Sequence, residues 1–461
     1  GGEPRDPWRG SWIGPSVPQA EASALGGTAP RSGFSRHMLR RTFTVGPIPP
    51  LAPARFSGDS RYVVYVNGVE VLRGPGRAQP RRLRYDHLDL AEHLREGSNT
   101  LAVLLTYYGE ANAFWQPAAA TGRLGAAAGF VFEAQIGDQS LVSDENWVTS
   151  AAHGYSLFAS AYVDSVPREN VDARLIPVGW AEPEFDDSAW TAAEVLSADH
   201  IGGNGRSQPP VAPYGLPTRN TTAALSGDIV RPLASTLERC SRVINPVPDT
   251  PSTAVQEAHR RVTNRSSVTL PVTLQMDDVL IEFDFGRIVA GTVCFDIEAP
   301  EGTIIDLHFR ERALVSDDAT PEGATGIRYV ARGSGDRFVS NELTGLRYLY
   351  LLARDLSGEG ATVSDISVQE TVYPWAGGSH FSSSDPQIDE LYRAGIRTVQ
   401  LNSFDTFTDC PTRELRSWVG DGVVHQMVHF TTNADWNLGY EYVRLADSPR
   451  PDGLLPMSVV G

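Results

Sequence analysis

Over roughly the first 380 residues, short apolar runs alternate with polar positions and are cut by Gly, Pro, Asn and Asp. A period of two predicts β-strands, and many short strands between turn signals predict sandwiches or barrels. Tyr62-Val63-Val64-Tyr65-Val66, then Asn67-Gly68, then Val69-Glu70-Val71-Leu72 predicts a hairpin, because Asn-Gly accepts the two positive-φ positions of a tight turn. Asn99 to Thr106 is apolar enough for a buried strand. From 215 to 275 the periodicity weakens among Pro, Thr, Ser and Asn, and the stretch reads as a connection between two β domains. A second β block follows. Val279 to Phe285 is a strand, Gly291 to Ala299 is expected to pair with Thr303 to Arg310 through Pro300-Glu301-Gly302, and Leu346 to Leu352 is another strand.

Near residue 380 the period becomes helical. Ser384-Asp385-Pro386 supplies a cap followed by proline, and Ile388, Leu391, Tyr392, Ile396 and Val399 fall on one helical stripe. A second helix is expected over 411–431 and a third over 434–446. The expected division is a β-sandwich at 1–215, a second at 216–375 and a helical part at 376–461. Three helices are few to bury their own stripes, so the helical part reads as incomplete.

Composition narrows the chemistry. All 39 basic residues are Arg, which excludes a Schiff-base lysine, a Walker A lysine and a kinase lysine. A net charge of −17 argues against a nucleic-acid partner. No apolar run approaches the roughly 18 residues of a membrane span, so no membrane partner is expected. Gly1 to Gly10 shows no apolar h-region, so no signal peptide is visible; localisation stays open, with the cytoplasm slightly favoured. Cys240, Cys294 and Cys410 form no CxxC and suggest neither a zinc site nor a disulfide framework, although one disulfide stays open.

The densest candidate chemistry is Asp409-Cys-Pro-Thr-Arg413-Glu414-Leu-Arg-Ser-Trp418-Val-Gly-Asp421. With Pro411 in a first helical turn, Glu414, Trp418 and Asp421 would share one face, and Asp409 would stand at the helix start. Two acids and an indole are an odd core stripe but suit a sugar: the indole offers an apolar platform and the carboxylates accept from hydroxyls. A carboxyl with a raised pKa could protonate a glycosidic oxygen. The alternative is a surface helix with scattered charges and a half-buried Trp.

Other stretches weigh less. Asp421, His425 and His429 share a stripe on which two histidines could hold zinc, but there is no HExxH and no third histidine soon after, so packing is the better reading. Gly202-Gly203-Asn204-Gly205 reads as a loop, not a phosphate cradle, because no Lys follows. Tyr107, Tyr108, Phe114 and Trp115 could edge a sugar site, though such clusters are more often core. Residues 31–100 carry 12 Arg against 6 acids, which suits a solvated face or interdomain ion pairs. Asn220 and Asn264 open glycosylation sequons.

DCPTRELRSWVGD resembles the signature that opens the catalytic domain of bacterial α-L-rhamnosidases of glycoside hydrolase family 78. Further segments resemble the family in order: WRGSWI (8–13), RYVVYVNGVEVLRGPGR (61–77), YDHLDL (85–90), LREGSNTLAV (94–103), VDARL (171–175), GWAEPEFDDSAW (179–190), FDFGRIVAGTVCFDI (283–297) and LADSPRPDGLLPMSV (445–459). The resemblance implies a galactose-binding-like sandwich, a second β-sandwich and the first helices of an incomplete (α/α)6 barrel. It implies hydrolysis of terminal α-L-rhamnosides with inversion, and an L-rhamnose-containing glycoside or oligosaccharide as partner. Glu414 matches the family's general acid, while Asp409, Arg413, Trp418 and Asp421 match residues lining the sugar subsite. The family's general base is a Glu expected beyond Gly461, so these 461 residues alone are expected to be inactive. No metal or organic cofactor is implied. The rival reading is a non-catalytic carbohydrate-binding protein of two β-sandwiches and a helical remnant; a lesser one is a hydrolase of the same barrel type acting on another deoxy sugar.

Overall fold

A computed structural model describes residues 8–15, 34–78, 83–108, 128–158, 168–196, 218–241, 250–275, 279–315, 325–333, 335–356, 360–412, 414–447, 453–455 and 457–458. Phe114, Trp115, Arg413 and Gly202 to Gly205 lie outside these residues.

The first β block is two facing sheets. One has seven strands, with Gly129–Ile136 and Pro53–Asp59 at its centre; the other has six, with Ser35–Val45 and Gly97–Tyr107 at its centre. Alternation along Gly97–Tyr107 explains its uninterrupted apolarity. Leu101, Val103, Leu105 and Tyr107 fill the core between the sheets with Phe56, Phe130, Phe132 and Trp147, while Ala102 and Leu104 face outward onto Met38, Val63 and Trp180. The predicted hairpin forms: Arg61–Val66 pairs with Val69–Gly74 around Asn67 (φ 52°) and Gly68 (φ 84°). Tyr107 and Tyr108 are buried.

The second β block is one twelve-stranded sheet folded over its own core. Its spine is the 20-residue strand Val279–Glu298, whose register shifts between Asp284 and Val289 around Gly286 (φ 73°). Before the shift it lies between Ala234–Cys240 and Thr344–Arg354; after it, it pairs mainly with Asp336–Val339 and Ala361–Glu370. The expected pairing of 291–299 with 303–310 does not occur. Ile304–Arg310 pairs instead with Gly326–Val330 and Thr344–Arg354. Pro300-Glu301-Gly302 leads the chain away from the partners of Val279–Glu298, so Ile297 and Ile305 share one core without pairing in a ladder. The stretch 215–275 is likewise no mere connection. It holds Ala234–Cys240, the helix α1 (Pro251–His259) and Val262–Ser267, and α1 seats Ala254, Val255 and Ala258 on Leu280, Tyr350 and Leu352.

Strand pairing crosses the expected boundary at 215 in both directions. Tyr155–Phe158 and Arg168–Asp172 join the second block, the latter lying parallel to Gly326–Val330, while Thr218–Arg219 lies parallel to Arg84–Asp89 of the first. Each covers a sheet edge that would otherwise expose unpaired backbone. Between the blocks, the Arg36 guanidinium is buried against Glu169 (2.9 Å) and Glu342 (2.7 Å), and Tyr108 Oη donates to Glu342 (2.8 Å).

Three helices follow: α2 (Pro386–Leu401), α3 (Val419–Thr432) and α4 (Asn437–Ala446). The first starts as predicted, with the Asp385 carboxylate accepting from Gln387 N at 2.9 Å and Pro386 in the first turn. Its predicted stripe is not covered: Leu391 is 72 % exposed and only Val399 and Leu401 are buried. Met427 of α3 (67 %) and Val443 of α4 (57 %) are also apolar and exposed. All three cysteines are free. Among the described residues no helix is long and apolar enough to cross a membrane.

Burial gives an acid sensitivity. It holds His425 and His429 below the ordinary histidine value, and with nearby His153 it pulls His37 down to about 4. A histidine with a folded pKa below its unfolded value of about 6.5 is indifferent above that pH; below it the unfolded chain takes up protons that the folded chain refuses. Stability should therefore fall as the pH drops from about 6.5 towards 4. Urea midpoints over that window check this, and His37→Gln should flatten the slope; an unchanged slope would refute the assignment to His37.

Candidate active site

The segment Asp409 to Trp418 is a loop, not the first turns of a helix. The expected helix over 411–431 begins at Val419, with Trp418 as its N-cap, so Asp409 does not stand at a helix start. The cause is tertiary. Leu415 sits at φ 50°, outside the helical range, with its side chain buried. Backbone groups that a helix would use internally are taken by other partners. Asp409 N donates to Arg416 O (3.0 Å), Arg416 N donates to Asp409 Oδ1 (3.1 Å), and Val419 N donates to Met457 O (2.8 Å).

The loop nevertheless brings Glu414 and Trp418 together, as the helical spacing had for a different reason. Trp418 Nε1 donates to Glu414 Oε2 at 2.8 Å. The Arg416 guanidinium lies 5.2 Å from the Trp418 ring centroid and reaches Ser458 Oγ at 2.7 Å. Asp421 is in the first turn of α3 and exposed. Asp421 and Asp409 both act on His425 electrostatically, raising its pKa against the burial that wins. Half-buried Trp418, half-buried Glu414 and exposed Asp421 therefore present an indole and carboxylates at an accessible surface.

The packing below is tight. Tyr442 Oη donates to Trp418 O (2.6 Å), and Gly422 lies so close that a Cβ there would stand 2.0 Å from Tyr442. His429 is enclosed by Tyr373, Trp375 and Phe407, with ring centroids 5.9, 5.2 and 5.3 Å away. The zinc reading of Asp421, His425 and His429 finds no support: among the described residues no three ligating side chains are grouped to hold a metal.

Both β blocks hold the loop. Thr412 Oγ1 donates to Glu311 of the second block, and a Cβ on Gly345 would stand 2.8 Å from Pro411. From the first block, Arg77 Nη1 donates to Leu415 O at 2.9 Å, and Arg77 N donates to Asp405 Oδ2 at 2.7 Å. Arg61 Nη2 also reaches Asp405 Oδ2, at 3.0 Å. Burial pushes the Asp405 carboxyl up, but Arg77 and Arg61 outweigh it and hold it below the usual carboxylate range. Sequence reasoning passed over Arg61, Arg77, Asp405 and Arg416; the signals were that RYVVYVNGVEVLRGPGR spans both Arg61 and Arg77 and that DCPTRELRSWVGD contains Arg416.

Comparison with known proteins agrees with this order of parts. The model of the alpha-L-rhamnosidase N-terminal domain matches residues 52–213, that of the bacterial alpha-L-rhamnosidase concanavalin-like domain 274–368, and that of the bacterial alpha-L-rhamnosidase six-hairpin glycosidase domain 377–459. An alpha-L-rhamnosidase of Streptomyces avermitilis is 28 % identical over 213 residues, which are 44 % of this chain and 18 % of that protein. The fold is similar to that of a rhamnosidase of Bacillus sp. GL1 (19 % identity, TM-score 0.78, 98 % of this chain and 64 % of that one). It is also similar to the Streptomyces avermitilis alpha-L-rhamnosidase solved with L-rhamnose (18 % identity, TM-score 0.65, 93 % of this chain and 38 % of that one). The chain thus spans less than two thirds of the length of these relatives. With three family domains matched in order along one chain, and the fold shared throughout, this protein belongs to the bacterial α-L-rhamnosidases of glycoside hydrolase family 78.

Proposed function

We propose that this chain is part of an enzyme that hydrolyses terminal α-L-rhamnosyl residues with inversion, and that Glu414 is its general acid. The observation that carries the reading is the bond from Trp418 Nε1 to Glu414 Oε2, in a loop that both β blocks hold. A carboxylic acid keeps that bond with Oε2 as its carbonyl oxygen and carries its proton on Oε1 towards the leaving oxygen. Asp409 and Asp421 grip sugar hydroxyls, Arg413 holds a hydroxyl or orients a carboxylate, and Trp418 covers an apolar face of the ring. An inverting site also needs a base about 6.5–9.5 Å from the acid with a water between them, which we place outside these 461 residues. The 461 residues alone are then inactive.

The parts we propose are a galactose-binding-like sandwich (1–215), a second sandwich (216–375) and the start of an (α/α)6 barrel (376–461). Exposed Leu391, Met427 and Val443 support the last, since later helices of such a barrel would cover them. The sugar found in the Streptomyces avermitilis structure supports L-rhamnose as the glycone. The test is activity of the full-length enzyme on p-nitrophenyl α-L-rhamnoside beside the β-glucoside. Turnover of the rhamnoside alone is expected; equal turnover of both, or of neither, would refute it.

A further inference from the structure

The residue next to the proposed acid is held in an uncommon backbone conformation by a side chain from the far end of the chain. Leu415 has φ 50°, a left-handed value that a γ-branched residue seldom adopts. Its side chain is buried with Tyr108 of the first β block, Ala290 and Val372 of the second, and Leu401 and Phe404 of the helical part. Its carbonyl accepts from Arg77 Nη1 at 2.9 Å. Arg77 is 3 % exposed, and it in turn is fixed by Asp405, through its own backbone N at 2.7 Å and its Nε at 3.5 Å. Arg61 steadies Asp405 from a neighbouring strand.

We propose that Arg77 is a positioning residue for Glu414: the first β-sandwich, through Arg77 and Asp405, fixes the backbone of Leu415, the residue after the general acid, and so aims its carboxyl. This rests on Glu414 being the acid. A guanidinium this deeply buried costs solvation, and a buried ion pair is weak evidence for stability as such. Its rigid guanidinium donates to one carbonyl through Nη1 while Nε lies 3.5 Å from the Asp405 carboxylate, so the two contacts keep a fixed relative direction. That carbonyl belongs to Leu415, the residue that follows Glu414, and sits on the peptide between Leu415 and Arg416. Without this bond the strained Leu415 backbone can relax, and Glu414 turns with it. Asp421, carried on α3, stays where it is. The loss should fall on proton delivery and not on sugar binding.

The test uses Arg77→Gln and Arg77→Lys in the full-length enzyme, with Glu414→Gln beside them. For an alkyl rhamnoside, whose leaving group needs the proton, kcat should fall about 10–100-fold in Arg77→Gln, the scale of a reacting group misplaced by an ångström or less. KM should be little changed, and p-nitrophenyl α-L-rhamnoside should lose less. A merely structural role would lower the active fraction and scale both substrates alike. If Arg77→Gln does not fold, Arg77→Lys carries the same test, because one ammonium cannot reproduce the two contacts to Asp405 and Leu415. A loss graded by leaving group supports the proposal. Equal loss on both substrates, no loss, or a higher KM at unchanged kcat overturns it. If Glu414→Gln itself loses equally on both substrates, the assignment of the acid fails instead; if Glu414→Gln is selective and the Arg77 variants are not, only the role of Arg77 falls.

Discussion

In Glu414→Gln, kcat for an alkyl or sugar leaving group should fall by about 10²–10⁴-fold, the usual worth of general acid catalysis. The amide keeps the size of the side chain and can still accept from Trp418 Nε1 through its oxygen, so the contact at 2.8 Å has no reason to break. What is lost is the transferable proton. Because p-nitrophenolate leaves with little help, its rhamnoside should lose much less. Asp421→Asn gives the contrast. If Asp421 grips only the sugar, both substrates should suffer alike, because the missing contact is on the rhamnosyl side of the bond. Kinetics on the two leaving groups, with circular dichroism to show an unchanged fold, measure this. Equal losses in Glu414→Gln would reassign it to binding and send the search for the donor to Asp409 or Asp421.

The second large effect is on stability. Arg36→Met should cost about 3–5 kcal/mol, the penalty for removing one partner of a buried ion pair. Arg36 lies with no exposed side-chain surface between Glu169 and Glu342, and its Nε also donates to Thr106 Oγ1 at 3.0 Å. Burial and the nearby Glu169 carboxylate already push Glu342 above the usual range, against the pull of Arg36. Removing the cation leaves two acids facing each other in a water-poor gap. Glu169→Gln or Glu342→Gln in the Arg36→Met background should recover part of the loss, since fewer buried charges then repel. Urea midpoints and the rate of proteolysis between the β blocks would show both changes. A shift below about 1 kcal/mol, the value of an ordinary surface pair, would mean that the network is solvated in solution.

Local signals were legible wherever a few neighbouring residues settle the geometry. Asn67-Gly68 makes its hairpin because those two residues tolerate the φ values that a two-residue turn demands. Asp385-Pro386 starts α2 because a carboxylate can take an orphan amide and proline has none to lose. Two β blocks followed by helices could be read from a period of two giving way to a helical one. The motif from Asp409 to Asp421, together with the segments resembling the family, also singled out the region of the proposed site from its residues alone.

Three-dimensional partners decided the rest. Glu414, Trp418 and Asp421 fit a helical stripe on paper, yet Leu415 at φ 50° and the bonds of Asp409 to Arg416 make the segment a loop, because distant groups compete with the i−4 carbonyl for the same amides. Gly291–Ala299 and Thr303–Arg310 are adjacent in sequence and both apolar, but their alternation cannot tell a hairpin from strands that share one core without pairing. Arg36, Arg77 and Asp405 carry no local signal: their charged partners are 133 residues or more away, Arg77 and Leu415 are separated by 338, and only the closed fold brings them together. The sequence alone determined the Asn67-Gly68 hairpin, the start of α2 and the identity of the chemical groups. The tertiary structure determined which way those groups are aimed, because aim depends on long-range contacts that no periodicity records.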